Sequence, residues 1–157
     1  MRHTRRVHIS ARTDYALRAL LALAAAGTST VPGPVLAAEQ DLPLKFLEAI
    51  LADLRRAGLV RTRRGAVGGY ALARSADLIT LGEVVRAVDG PLAVVRGERP
   101  EQAAYEGAAR HLQELWIALR AALRIVLDEV TLAELLSGEL PQRVKDLVAQ
   151  PGAWTSR

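Results

Sequence analysis

Between Arg55 and Arg74 the chain carries six arginines and no acidic residue, and the centre of that stretch reads Arg63-Arg64-Gly65-Ala66-Val67-Gly68-Gly69. A guanidinium stays charged at any physiological pH, so arginines without neighbouring carboxylates suit a polyanion. Glycines let the backbone approach a phosphate closely and adopt turn conformations closed to other residues. The stretch matches neither G-x-G-x-x-G nor a phosphate loop ending in G-K-[ST], so it does not read as a nucleotide cradle. Covalent or metal chemistry has little to stand on. There is no cysteine, which removes disulfides, thiolate nucleophiles and cysteine-ligated metal or iron–sulfur sites. The acids are scattered, and no Ser/His/Asp order or metal-spaced histidine cluster occurs. An enzyme is therefore not expected, and neither a metal nor a cofactor.

Charge is distributed unevenly. Residues 1–74 carry twelve Lys or Arg against five acids, whereas residues 75–157 carry nine against twelve. This pattern suggests a polyanion-binding module joined to something else; solubility alone is the bland alternative. A chain of 157 residues corresponds to about one domain and buries a core without staples. With half its residues hydrophobic and only 4% aromatic, rich in Ala and Leu, it reads as globular and mainly helical. The start resembles a secretory signal, with Arg2, Arg5 and Arg6 before an Ala/Leu run, but Asp14 and Arg18 interrupt the apolar stretch. Leu17, Leu20, Leu21 and Ala24 instead fall on one helical stripe. No stretch reaches the ~20 apolar residues of a membrane span. A cytoplasmic protein with no membrane partner is expected.

The elements that must position the arginines follow from caps and periodicity. Ser10 is placed to cap a helix over Ala11 to Ala26 that stops at Gly27. A short helix follows over Pro34 to Glu39. Asp41 or Leu42 caps a third helix, which runs to about Ala57 with Gly58 as its left-handed terminator. Its apolar stripe is Leu44, Leu47, Ile50, Leu51 and Leu54, and its other face shows Lys45, Glu48, Ala49, Asp53 and Arg56. Leu59-Val60-Arg61-Thr62 and Tyr70-Ala71-Leu72-Ala73 read as the strands of a hairpin with a basic tip. Thr80-Leu81-Gly82-Glu83 and Thr131-Leu132-Ala133-Glu134 are capping boxes opening further helices. A long helix is expected from about Ala103 to Asp128, with Leu112, Leu115, Trp116, Leu119, Leu123 and Val126 on its stripe. After Pro141 the tail is polar and expected to fray.

A short helix, a turn, a longer helix and a basic hairpin make a winged helix-turn-helix pattern. The third helix fits a major groove, and an arginine-tipped hairpin reaches the adjacent minor groove, whose negative potential attracts guanidinium. Arg61, Arg63 and Arg64 are the hairpin's candidate contacts. Plainer roles exist for single residues. Arg55 and Arg56 also complement a helix dipole, Lys45 and Glu48 could be an ordinary ion pair, and Tyr15 and Tyr70 could be core-rim residues. The order of the elements is what these plainer roles leave unexplained.

Those residues carry a family resemblance. Phe46-Leu47-Glu48-Ala49-Ile50-Leu51, Leu54-Arg55-Arg56-Ala57-Gly58-Leu59-Val60, Arg64-Gly65-Ala66-Val67-Gly68-Gly69-Tyr70, Thr80-Leu81-Gly82-Glu83 and Asp89-Gly90-Pro91-Leu92 closely resemble the bacterial repressors that include the iron–sulfur cluster regulator, the nitric-oxide-sensing repressor and the cysteine-metabolism repressor, also called the Rrf-two or BadM family. The similarity runs from about Ile9 to Leu136. It implies a homodimeric winged-helix transcription regulator whose long helix crosses its partner through Leu112, Leu115, Trp116, Leu119, Leu123 and Val126. By position, Lys45 and Glu48 fall where the family's recognition helix meets base edges. Arg64, Gly68 and Gly69 fall on the wing, and Ser10, Arg12 and Tyr15 fall where phosphates are contacted. Ala49 departs from the Gln often found there. Cluster-binding members place three cysteines after the position of Leu92; Glu98, Glu101 and His111 are poor substitutes for iron–sulfide, so no cluster is expected.

The sequence thus divides into a winged helix-turn-helix over 9–90, a loop with the dimerisation helix and a short capping helix over 91–138, and a partly disordered tail over 139–157. The expected function is a sequence-specific, double-stranded-DNA-binding regulator, a repressor, acting as a homodimer on a near-palindromic operator. The alternative is a protein-interaction module built on the same fold. A small-molecule or protein effector would be sought at the loop Ala93 to Ala103.

Overall fold

The computed structural model describes residues 9–155; Arg2, Arg5 and Arg6 lie outside them. Seven helices and one hairpin follow in order: α1 (Ala11–Ala25), α2 (Gly33–Glu39), α3 (Leu44–Arg56), β1 (Val60–Arg63), β2 (Gly69–Leu72), α4 (Leu81–Asp89), α5 (Leu112–Leu127), α6 (Leu132–Ser137) and α7 (Gln142–Val148). The fold is mainly α with a two-stranded antiparallel wing, as expected.

Local rules account for most of the boundaries. Ser10 caps α1 by accepting from the Thr13 amide, and both capping boxes form, Thr80 with Glu83 and Thr131 with Glu134. Gly58 takes φ +74° just past α3, which relieves the steric penalty any side chain would meet there. The Glu83 carboxyl is held below its ordinary range. Partial burial acts to raise it, but the Thr80 backbone amide and the Arg74 guanidinium together outweigh that.

The core is built on α1 and α3. Ala16, Ala19, Leu20 and Leu23 of α1 share one buried cluster with Leu47, Ile50, Leu51 and Leu54 of α3 and with Leu36, Leu59, Ile79 and Val84. Each of these is at most 1% exposed, so the cluster excludes water from both helices. Leu132 of α6 enters the same core, tied by its amide to the Ile79 carbonyl at 3.0 Å. The segment after α5 therefore returns to pack beside the elements that precede it.

Four expectations are corrected. The third helix is not capped by Asp41 or Leu42: Pro43 is its N-cap and makes no side-chain cap bond, while Asp41 adopts φ +52° in the turn before it. Leu44 is off the buried stripe, 36% exposed at the helix start. The long helix begins at Leu112, not near Ala103. Gly107 takes φ +58°, and Ala103 is extended and fully buried, so the segment folds back, where Gln113 donates to the carbonyls of Pro100 and Glu101. The segment after Pro141 contains α7, anchored by the buried Val144. Among the described residues no helix is long and apolar enough to cross a membrane.

Leu47 and Leu44 test this division of α3. Leu47→Ala is expected to lower the unfolding free energy by about 2–5 kcal/mol, whereas Leu44→Ala stays within roughly 1 kcal/mol. Urea denaturation followed by circular dichroism measures both.

Candidate nucleic-acid interface

The buried stripe of α3 dictates what its other side shows. With Leu47, Ile50, Leu51 and Leu54 inward, Lys45, Glu48, Ala49, Ala52, Arg55 and Arg56 are all exposed. Lys45 and Glu48 form no ion pair with each other, and neither has an oppositely charged partner among the described residues, so their charges are free for an outside ligand.

The wing is tied to α3 through the backbone. The Leu59 amide donates to the Leu54 carbonyl at 2.9 Å, so the first strand leaves directly from the end of α3. The strands pair Val60 with Leu72, Arg61 with Ala71, Thr62 with Tyr70 and Arg63 with Gly69. Val31 bridges the other edge of β2 by exchanging two backbone bonds with Tyr70, at 2.8 and 2.9 Å. Arg63 and Arg64 are exposed and have no carboxylate partner among the described residues; Arg61 is exposed and donates to the Leu72 carbonyl at 3.2 Å. Gly68 and Gly69 are confined by backbone. A Cβ on Gly68 would lie 2.5 Å from the Arg63 carbonyl oxygen, and one on Gly69 2.5 Å from that of Val31, where Gly69 also has φ +151°. Both glycines thus hold the wing's shape, and the arginines supply its charge.

Helix and wing share one cleft of about 310 Å³, walled by Glu48, Ala52, Arg55 and Arg56 of α3 and by Tyr70 of β2. A second opening at the wing base lies among Thr28, Thr30, Arg63, Val67 and Gly68, and there the Thr30 hydroxyl donates to the Val67 carbonyl at 2.8 Å. The first opening thus joins the outer face of α3 to Tyr70 of the wing's second strand, while Arg63 lines the separate opening at the wing base.

At the start of α1 the structure shows more than spacing could. Ser10 and Thr13 hydroxyls both donate to Asp89 of α4, at 2.5 and 2.7 Å. Arg12 donates to Asp53 of α3 at 2.5 Å, and Arg56 pairs with the same carboxylate. Asp53, read from the sequence as one more polar residue of the outer face, thus fixes two arginines at the edge of the surface. Tyr15 is half-buried, edge-on to Phe46 at 5.9 Å between centroids, with the Arg18 guanidinium 5.5 Å from its ring centre. Ala52 and Arg55 were legible from the α3 period, but the Arg12–Asp53 pair, 41 residues apart, carries no sequence signal.

The α5 stripe divides. Leu112, Trp116, Leu123 and Val126 are half-buried against their own chain, and the Trp116 indole donates to the Tyr105 hydroxyl at 3.0 Å. Leu115 and Leu119 are exposed by 55% and 40%. They belong to an outward face with Ala118, Ala122 and Ile125, of which the sequence stripe missed Ala118 and Ile125.

A family model described as "Rrf2: Iron-dependent Transcriptional regulator" matches residues 9–138. A protein of Mycobacterium tuberculosis named as a helix-turn-helix transcriptional regulator is 44% identical over 142 residues, covering 90% of this chain and 88% of the relative. The transcriptional regulator CymR of Bacillus subtilis is 36% identical over 130 residues, 82% of this chain and 89% of its own. The solved structure of CymR, described as the global cysteine regulator of B. subtilis, superposes with a TM-score of 0.66 at 35% identity, covering 83% of this chain and 97% of that one. IscR of T. potens gives 0.68 at 29% identity, covering 92% and 93%. The chain belongs to the Rrf2 family of transcriptional regulators, and the relatives are regulators, not enzymes. The iron of the family description does not suit these residues. The chain has no thiolate to offer, and no three His, Asp or Glu side chains among the described residues are grouped to hold a metal ion. His111 is exposed beside Glu114.

Gly69→Ala is expected to destabilise the protein by about 1–3 kcal/mol, because the clash is with backbone. Arg64→Ala leaves the melting temperature unchanged within error. Differential scanning calorimetry of the two variants separates the wing's shape from its charge.

Proposed function

We propose that this member of the Rrf2 family is a sequence-specific, homodimeric regulator that binds a near-palindromic operator in double-stranded DNA and acts as a repressor without an iron–sulfur cluster. The observation that supports the reading is an exposed cationic helix face followed directly by an exposed cationic wing: Lys45 and Arg55 on α3 and Arg63 and Arg64 on the wing are all exposed and free of carboxylate partners among the described residues, and the Leu59–Leu54 backbone bond ties the wing to the end of α3. A major groove admits α3, whose Lys45 and Glu48 then meet base edges. The wing's Arg64 enters the adjacent minor groove, and Arg61 and Arg63 lie along the flanking phosphates. Gly68 and Gly69 hold the tip thin enough to enter. Ser10, Arg12 and Tyr15, at the start of α1, contribute on the phosphate side. Arg12 is already oriented by Asp53, which reduces the entropy lost when it meets DNA. Such binding places the protein in the cytoplasm, where bacterial DNA lies.

The dimer rests on the outward face of α5. Leu115, Ala118, Leu119, Ala122 and Ile125 leave a continuous apolar surface uncovered by their own chain. A second copy related by a two-fold axis covers it and sets two wings on one side of the duplex, which is why the operator is near-palindromic. The repressor sense follows the family resemblance.

Two measurements test the reading. Fluorescence anisotropy on a duplex selected from genomic fragments should show affinity falling steeply with salt, with a slope of roughly −0.9 per phosphate neutralised. Arg64→Ala should weaken binding by about tenfold or more. A flat salt response with no effect of that change would favour a protein partner instead. Light scattering should give a dimer at micromolar concentration and a monomer for the double change Leu115→Glu and Ile125→Glu; a wild-type monomer would contradict the two-fold arrangement.

A further inference from the structure

Away from the DNA-facing surface, a cleft of about 350 Å³ lies between α4, the loop after it and the flank of α5. Pro91, Leu92 and Ala93 form one wall, and four arginines line the rest: Arg86 from α4, Arg99 from the loop, and Arg120 and Arg124 from successive turns of α5. The single acid in the lining is Glu101. Arg120 is bound to it at 2.5 Å, and Arg86 is bound to Asp128 at 2.7 Å. Arg99 and Arg124 have no carboxylate partner and no side-chain hydrogen bond among the described residues. The Glu101 carboxyl is held below its ordinary range, first by a backbone amide and then by Arg120, with Arg99 adding to the pull. It therefore remains an anion there, already committed to its neighbour.

We propose that this cleft is a binding site for a small molecule bearing at least two negative charges, held by Arg99 and Arg124 with Arg86 and Arg120 beside them. Four guanidiniums facing one space repel each other, and two carboxylates leave two of the charges unmatched. An anion of two or more charges matches them. The planar fork of arginine fits phosphate, sulfate and carboxylate oxygens two at a time, so these are the groups the site takes. The volume suits a metabolite and is too small for a folded segment. Arg120 and Arg124 lie on the flank of α5 away from Leu115, Ala118, Ala122 and Ile125, so a second copy on that outward face leaves the cleft open.

The site also has a route to the rest of the molecule. Arg86 belongs to the helix whose Asp89 holds Ser10 and Thr13 at the start of α1, and Arg120 and Arg124 belong to α5. An anion gripping both helices fixes the winged unit relative to α5. That consequence rests on the DNA-binding reading; the binding itself does not.

Isothermal titration of the full chain with inorganic pyrophosphate, in the absence of DNA and at constant ionic strength, tests the site. One saturable site per chain is expected, weakened by about tenfold or more in Arg99→Ser/Arg124→Ser. Neither side chain makes a hydrogen bond among the described residues, so that variant should keep the wild-type circular dichroism; Arg99→Gln alone serves as a milder second variant with a smaller loss. Arg63→Ser/Arg64→Ser should bind pyrophosphate as the wild type does. Absence of saturable heat overturns the proposal. So does binding that survives both cleft variants, or binding that disappears with the wing variant, because the anion would then sit on the DNA-facing surface. Failure of DNA binding with pyrophosphate binding intact would overturn the regulator reading alone.

Discussion

The burial of one side of α3 is the constraint on which the rest of the molecule depends. Leu47, Ile50, Leu51 and Leu54 are wholly buried beside Ala16, Ala19, Leu20 and Leu23. A helix fixed on one side has its other side fixed too, because the side chains advance at a constant angle. Lys45, Ala49, Ala52 and Arg56 face water as a result of where the leucines went. The wing inherits that orientation through the Leu59–Leu54 backbone bond and the register that follows it. The cleft between the outer face of α3 and Tyr70 of β2 follows from these two constraints.

Charge completes what packing begins. Two acids beside the surface are occupied internally, Asp53 by Arg12 and Arg56 and Asp89 by the hydroxyls of Ser10 and Thr13, whereas Glu48 on the outer face of α3 has no cationic partner among the described residues. The charges of Asp53 and Asp89 are therefore neutralised or turned toward the fold, while Arg63 and Arg64 on the wing have no such partner among the described residues. Exposed ion pairs of this kind add little stability. Their effect is to hold Arg12 and Arg56 in place and to leave the surface positive. At the far end of the molecule the balance differs. The α4–α5 cleft gathers four arginines with one acid, Glu101, in its lining. The protein thus has the fold of the Rrf2 family with four arginines around this cleft and no thiolate in the chain.

The parts legible in the sequence were those set by local rules. Ser10, Thr80 and Thr131 cap their helices because a hydroxyl three residues before a free amide suffices. The hairpin was readable because alternation and a glycine-rich turn are local as well. The α5 boundary was not, because Ala103 to Arg110 satisfies a helical composition while Gly107 and the buried Ala103 serve a fold-back visible only in three dimensions. The apolar stripe of α5 was read as one surface, although an apolar helix with two partners shows two faces, and periodicity alone does not say which is covered by its own chain. The same holds for α7, whose single buried Val144 is too sparse a signal among polar neighbours. Asp53 was placed on the right helix and on the outer side, but its hold on Arg12 depends on how α1 crosses α3. Long-range pairs of this kind carry the site's geometry and leave no trace in spacing.

The most direct test of the central claim, that α3 and the wing together grip two adjacent grooves, is a hydroxyl-radical and methylation-interference footprint on an operator selected from genomic DNA. Two symmetric half-sites are expected, each with guanine N7 interference in one major groove and sugar protection in the minor groove beside it, the latter lost in Arg64→Ala. Protection confined to the backbone with no groove pattern, or a footprint unchanged by that substitution, would contradict it.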